Sequence, residues 1–163
     1  MGEVLSERNE LSTQSADYPL VSFTVENGVT PKTERYEREQ LVKGNKKDKK
    51  YKVTRLNDIV YNPANLKFGA ISKNQYGNAV FSPIYVTFQV IKGIADSDFV
   101  ELLVTRENFI QYALKFQQGT VYERQAVNPE DFLNLHIFST TLTEQQKIGN
   151  LFKQLDRLIT LHK

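Results

Sequence analysis

"YKVTRLNDIVYNPANLKFGAISKNQYGNAVFSPIYVTFQVI" (residues 51–91) is the stretch on which the fold turns. Five runs within it, YKVTRL, DIVYN, FGAIS, AVFSP and IYVTFQVI, are rich in β-branched and aromatic residues, and Asn-Pro, Gln-Tyr-Gly-Asn and Ser-Pro separate them. Such side chains suit a pleated surface, whereas Pro and Gly interrupt ladders and favour turns, so the stretch predicts strands joined by short connections. It is the expected sheet core. Toward the N-terminus, YPLVSFTV (18–25) predicts a further strand running into an Asn27-Gly28 turn. TPKTERYEREQLVKG (30–44) has Pro31 at an allowed first-turn position ahead of charged helix formers, which predicts a short exposed helix, and KGNKKDKK (43–50) follows as a lysine-rich loop. The first dozen residues fit a short helix or an extended lead-in equally.

Beyond Gly93 the apolar spacing lengthens. Phe99, Leu102 and Leu103, then Phe109, Ile110, Ala113 and Phe116, fall at helical intervals, with Gly119 as a stop, which predicts two short helices. TVYERQAV (120–127) and FLNLHIFS (132–139) read as returning strands, although PEDFLN also suits a helical turn. At the end, Thr143 followed by Gln146 matches a capping box. Ile148, Leu151, Leu155, Leu158 and His162 then alternate steps of three and four, the a/d seam of a coiled coil, and Phe152 and Ile159 widen it. The expected fold is α+β: a single mixed or antiparallel sheet with short helices over residues 1–142, then a coiled-coil-forming helix over 143–163, a rod of roughly 30 Å.

The 163 residues suffice for one core, and 40% hydrophobic with 25% charged residues excludes disordered and fibrous classes. There is no apolar run of about 18 residues and no charged-then-apolar leader, so no membrane association is expected and the cytoplasm is the expected compartment. The absence of cysteine excludes disulfides, thiolate chemistry and cysteine-based zinc sites. The net charge of +2 conceals an uneven distribution: residues 43–73 carry nine Lys and Arg against two Asp, hence +7, leaving −5 on the remainder. A cationic segment on a mildly acidic body suits a polyanionic partner, and equally suits a solvated lysine loop.

Catalytic instruments are missing. NPAN (62–65) has part of the Asn-Pro-Pro-aromatic loop of adenine methyltransferases, but the second proline and the aromatic ring are absent, and no glycine-rich nucleotide loop accompanies it. It reads as a turn. Asp96, Asp98 and Glu101 suggest a nuclease-like acidic cluster, yet their setting favours a helix cap and first-turn acids. His136 and His162 have no second histidine at ligand spacing, and no serine sits in a nucleophile elbow. No catalytic or metal-binding residue is expected.

Four stretches in register, LNDIVYNPANLKFGAI, FSPIYVTFQV, QQGTVYERQAV and NPEDFLNLHIFSTTLTEQQKIGNLFKQLDRLITL, resemble one target-recognition half of type I restriction-modification specificity subunits. The resemblance runs over roughly residues 50–163, and its most specific part is the Glu144-Gln145-x-x-Ile148 helix start after the domain. In that family two recognition domains are each followed by a long helix. The helices pair as an antiparallel coiled coil and dock methyltransferase subunits. The resemblance therefore implies sequence-specific binding of double-stranded DNA without chemistry, with S-adenosylmethionine and ATP held only by partner modification and restriction subunits. It also implies that the seam of Ile148, Leu151, Phe152, Leu155, Leu158, Ile159 and His162 pairs with a second helix, from another copy or a second recognition half.

On this reading Lys46, Lys47, Lys49, Lys50 and Lys67 contact phosphates, which gives affinity without sequence information. Base edges demand groups with paired donors and acceptors. Lys73, Asn74, Gln75, Tyr76 and Asn78 in SKNQYGN, and Gln117, Gln118, Thr120, Tyr122 and Arg124 in FQQGTVYER, are the candidates. Two rival expectations are a coiled-coil assembly module that does not bind DNA, and a nuclease using Asp96, Asp98 and Glu101.

Overall fold

A computed structural model of the chain describes residues 1–32, 49–120 and 124–162. Among them are nine strands, Leu5–Glu7 (β1), Leu11–Ser12 (β2), Val21–Thr24 (β3), Gly28–Pro31 (β4), Tyr51–Thr54 (β5), Ile59–Tyr61 (β6), Ile71–Lys73 (β7), Ala79–Phe81 (β8) and Val86–Val90 (β9). Four helices accompany them: Ser97–Val104 (α1), Glu107–Leu114 (α2), Pro129–Leu133 (α3) and Leu142–Leu161 (α4). The fold is α+β, and all strand pairs are antiparallel. The single sheet expected from sequence is instead three, ordered β1-β9-β6-β7, β2-β5-β8 and β3-β4. The chain passes between the two larger sheets first between β1 and β2 and again at Arg55–Asp58. There Asn57 takes a left-handed φ of 69° and the chain leaves the second sheet for the first.

β6 shows why the layers stack. Successive strand residues point to opposite faces, and here both faces are covered. Ile59 and Tyr61 enter the main core with Leu5, Phe88, Val100, Val104 and Phe132. Val60 turns the other way, into a second core with Val21, Phe23 and Phe81. The four-stranded sheet therefore lies between the helices and the two smaller sheets. At the centre of the main core the rings of Tyr61, Phe132 and Phe88 stack, with centroids 4.9 Å apart for Tyr61–Phe132 and 5.2 Å for Phe88–Phe132. The Tyr61 hydroxyl donates to the Val127 carbonyl at 2.9 Å, so burying its polar tip leaves no orphan. Across the smaller layer the β3–β4 hairpin packs Gly28 against Ser72. Its φ of +62° and a virtual Cβ only 2.9 Å from Ser72 Oγ both require glycine.

Several local expectations need correction. The N-terminal dozen, open between helix and extended lead-in, form a turn over residues 2–4 and then β1 and β2. Pro31 ends β4, paired with Val21, and does not open a helix; the rest of the expected helix, residues 33–44, and the loop through residue 48 lie outside the described residues. FGAIS does not begin as strand, because Leu66–Phe68 forms a 3-10 turn closed by Gly69. Of the two readings of residues 129–139 the helical turn over PEDFLN holds and the strand does not: Asn128 caps α3 by accepting from Asp131 N at 2.9 Å, and Phe132 and Leu135 are buried three residues apart, a helical spacing. TVYERQAV contributes one isolated bridge, Gln118 with Ala126, while residues 121–123 lie outside the described residues. The cap of the final helix falls two residues earlier than expected, at Thr141 in place of Thr143, and its hydroxyl accepts from Glu144 N. No helix among the described residues is long and apolar enough to cross a membrane.

The sheets are joined by a buried polar network. Asp58 accepts from Arg8 Nε at 2.7 Å, from a second Arg8 guanidinium nitrogen at 3.0 Å and from Arg55 N at 2.9 Å. Thr87 Oγ1 lies 3.3 Å from both Asp58 and Thr54, and Asn74 Nδ2 donates to Thr54 Oγ1 at 3.0 Å. The hydrogen bond to Asp58 raises the Arg8 pKa above its ordinary value even against burial. Removing one member strands the other in the interior. Asp58→Ala is expected to lower the unfolding free energy by about 3 kcal/mol in urea titration, and a loss well under about 1 kcal/mol would show that the pair behaves as a surface one.

Candidate functional site

The turn between β7 and β8 is built around Asn74. Its Oδ1 accepts from Tyr76 N at 2.8 Å and Gly77 N at 3.1 Å, its Nδ2 donates to Gly77 O at 2.9 Å, and the side chain is fully buried. Lys73 is also inside. Its ammonium bonds Asp98 and lies 3.4 Å from Glu101 Oε2. Lys73 and Asn74 therefore shape this loop and are not the surface donors expected from sequence, because burial and saturated hydrogen bonding withdraw them. Gln75, Tyr76 and Asn78 are exposed.

The second loop is held differently. Gln118 and Ala126 exchange backbone hydrogen bonds of 2.7 and 2.9 Å, and Gln118 Nε2 donates to Asp131 at 3.2 Å. Arg124 reaches Asn65 Oδ1 at 3.3 Å, and Val127 N donates to Pro63 O at 3.2 Å, so this loop leans on the Asn62–Phe68 connection. Gln117 is half-buried, Thr120 is exposed and Tyr122 lies outside the described residues. Lys67 is exposed, its Nζ 5.0 Å from the Phe68 ring centroid.

Register fixes how the two loops relate. Ile59 pairs with Lys73 at one end of the β6–β7 hairpin and Tyr61 with Ile71 at the other. Gln75, Tyr76 and Asn78 thus emerge at one end, and Arg124, Asn65 and Lys67 gather at the opposite end. The basic segment is also dispersed. Lys49 and Lys50 are exposed ahead of β5, Lys46 and Lys47 lie outside the described residues, and Lys52 is buried, bonded to Asn9 at 3.1 Å and 3.7 Å from Glu7. Arg55 pairs with Glu10 at 2.8 Å.

Helix α4 is fastened to α1 through Gln145, Gly149 and Lys153 along one face. Gln145, 1% exposed, accepts from Asp96 N at 3.0 Å and donates to Thr140 O at 2.8 Å. Gly149 passes so close to α1 that a Cβ would lie 2.9 Å from Asp96 Oδ1 and 3.0 Å from Asp98 Cβ. Lys153 then reaches Asp98 at 2.6 Å. Neither Gln145 nor Gly149 was singled out from sequence as an anchor, although both fall on one helix face, four residues apart. Most of the seam is open: Leu151, Phe152, Leu155, Leu158 and Ile159 are exposed, Ile148 is half-buried, and His162 is the exposed C-cap. Between α4 and the Leu56–Asn57 turn lies a cleft of about 390 Å³ that Gln75, Phe152 and Arg157 help to line.

The acidic cluster has structural roles. Asp96 caps α1, accepting from Phe99 N at 3.0 Å, and Asp98 and Glu101 neutralise Lys73. Among the described residues no group of three or more His, Cys, Asp or Glu is placed to hold a metal ion. No protein-family model matches this sequence, and no curated protein matches it.

Burial alone would raise the Asp98 pKa, but hydrogen bonds from Lys153 and Lys73 outweigh it and hold the carboxyl below its ordinary value. For Lys73 burial pulls downward, and Asp98 with Glu101 outweighs it, so its pKa is raised. The Asp98 contribution is therefore complete above the ordinary value of 3.8 and is lost as pH falls through the depressed one, while the Lys73 contribution is complete below 10.5 and is lost as pH rises through the raised one. Amide-exchange protection along the start of α4 should hold between those limits and fall in acid, and Asp98→Asn should lower it at neutral pH and flatten the acid limb. Gly149→Ala favours an isolated helix by about 1 kcal/mol yet should loosen α4 from α1. Greater protection in that variant would show the close approach to be unimportant.

Proposed function

We propose that this chain recognises a short sequence of double-stranded DNA and performs no chemistry itself, acting as one recognition half of a type I restriction-modification specificity subunit. Its helix α4 hands recognition to methyltransferase and restriction subunits. Those partners bind S-adenosylmethionine and ATP, and any base flipping or cutting is theirs. The observation that carries this reading is α4: a helix held to α1 through Gln145, Gly149 and Lys153, with Leu151, Leu155, Leu158 and Ile159 exposed. A helix with an uncovered apolar stripe suits pairing with another helix. Exposed Gln75, Tyr76 and Asn78, together with Lys49, Lys50, Lys67 and Arg124, supply amide and cationic groups of the kinds that contact base edges and phosphates.

The same apolar stripe also favours the rival of an assembly module that does not bind DNA, and duplex binding separates the two. Four phosphate contacts predict a binding constant that falls at least roughly 100-fold between about 50 and 200 mM salt. Anisotropy with labelled duplexes reads this directly, and a salt-independent constant, or no binding, would leave only the assembly role. Leu155→Asp should abolish association of the chain with itself or with modification subunits in sedimentation while leaving duplex binding intact.

A further inference from the structure

The NPAN turn, unassigned by sequence and placed away from the Gln75 loop, presents an exposed ring. Asn65 N donates to Asn62 O at 3.1 Å, Phe68 N to Asn65 O at 2.9 Å and Gly69 N to Leu66 O at 2.8 Å. Leu66 is fully buried beneath the turn, whereas Phe68 is 64% exposed. The hydrogen-bonded turn orders the backbone that carries the ring, so little backbone entropy remains to be lost when the ring meets a partner. The neighbouring charges are positive. Lys67 lies over the ring and Arg124 is held to Asn65, and among the described residues neither forms an ion pair with a carboxylate. Asp131, bonded to Gln118, is the acid on the same loop assembly. The other exposed rings lack this setting: Phe116 packs edge-on against Tyr112 at 5.6 Å, and among the described residues no cation lies over Tyr76, Phe138 or Phe152.

We propose that the Asn65–Phe68 turn is a DNA-contacting wedge, in which the Phe68 ring stacks against a base step while Lys67 and Arg124 take the flanking phosphates. The proposal rests on the duplex-binding reading above. A ring inserted at a step exchanges base-on-base stacking for base-on-ring stacking and opens the step, and cations on either side hold the backbone that is displaced. Phe68 supplies no hydrogen bond, so its preference is for easily unstacked pyrimidine–purine steps and not for a particular base.

Duplexes retained by the chain from a pool with a randomised centre provide the test, read by anisotropy and by permanganate reactivity of thymines, which rises when a base is unstacked. The intact chain should render thymine reactive at one step. Phe68→Ala should lose that reactivity and about tenfold in affinity with an unchanged salt slope, and Phe68→Trp should restore both. Lys67→Ala should instead reduce the salt slope by about 1. If Phe68→Ala binds as tightly as the intact chain with the same thymine reactivity, the wedge is wrong and the duplex-binding reading survives. If the intact chain retains no duplex at all, both fall together.

Discussion

The bidentate pairing of Arg8 with Asp58 is the constraint around which the domain is organised. Three layers of very short strands cannot rely on ladder hydrogen bonds alone, since two to five residues per strand leave few pairs in each ladder. The Arg8–Asp58 pair and its extension through Thr87, Thr54 and Asn74 join β1, β6, β9, β5 and the β7–β8 turn at one point. Every member is hydrogen-bonded, which makes a buried polar cluster tolerable and geometrically demanding at once. Apolar replacement stabilises some hosts of buried ion pairs, but here Asp58 also closes the Arg55–Asp58 turn in which Asn57 is left-handed.

From that node the structure reaches α4 in two steps. Asn74 belongs to the network, and the preceding Lys73 turns to the helical side, bonding Asp98 and Glu101 of α1. Asp98 in turn holds Lys153 of α4. The exposed loop of Gln75 and Tyr76 and the start of the terminal helix are thus connected by consecutive residues and one carboxylate. A displacement of that loop would be felt first at Asp98, because Lys73 is buried, whereas the largely exposed Lys153 can absorb part of it.

Long-range periodicities were legible, and short polar signals were not. The strands of residues 51–91, both short helices and the terminal helix follow from β-branched enrichment and from apolar spacing, because each of those elements buries a regular face. FLNLHIFS misled because its apolar residues alternate in sequence while only Phe132 and Leu135 are buried, at helical spacing under an Asn128 cap. The division into three sheets was invisible, since the chain passes between sheets at short connections whose strands all carry the same β-branched and aromatic signature. At the site, Gln75, Tyr76 and Asn78 are exposed as expected, whereas Lys73 and Asn74 are consumed by structure. A loop lysine and a loop asparagine look alike on the page whether they face water or a buried partner, and only Asn before a Gly-bearing turn hinted at the second outcome.

The opposite placement of the two polar loops does not require two DNA molecules. Seven residues separate Phe68 from Gln75 in the chain, and at about 3.6 Å per residue they can be at most about 25 Å apart. One turn of B-form duplex spans about 34 Å. On the proposed reading a single duplex lying along the β6–β7 hairpin would meet amide groups at one end and the Phe68 ring with its two cations at the other, within one helical turn. The two ends would then do different work. Amides can discriminate base edges, while a ring flanked by cations senses how readily a step opens, and the hairpin between them fixes the spacing at which both conditions must be met.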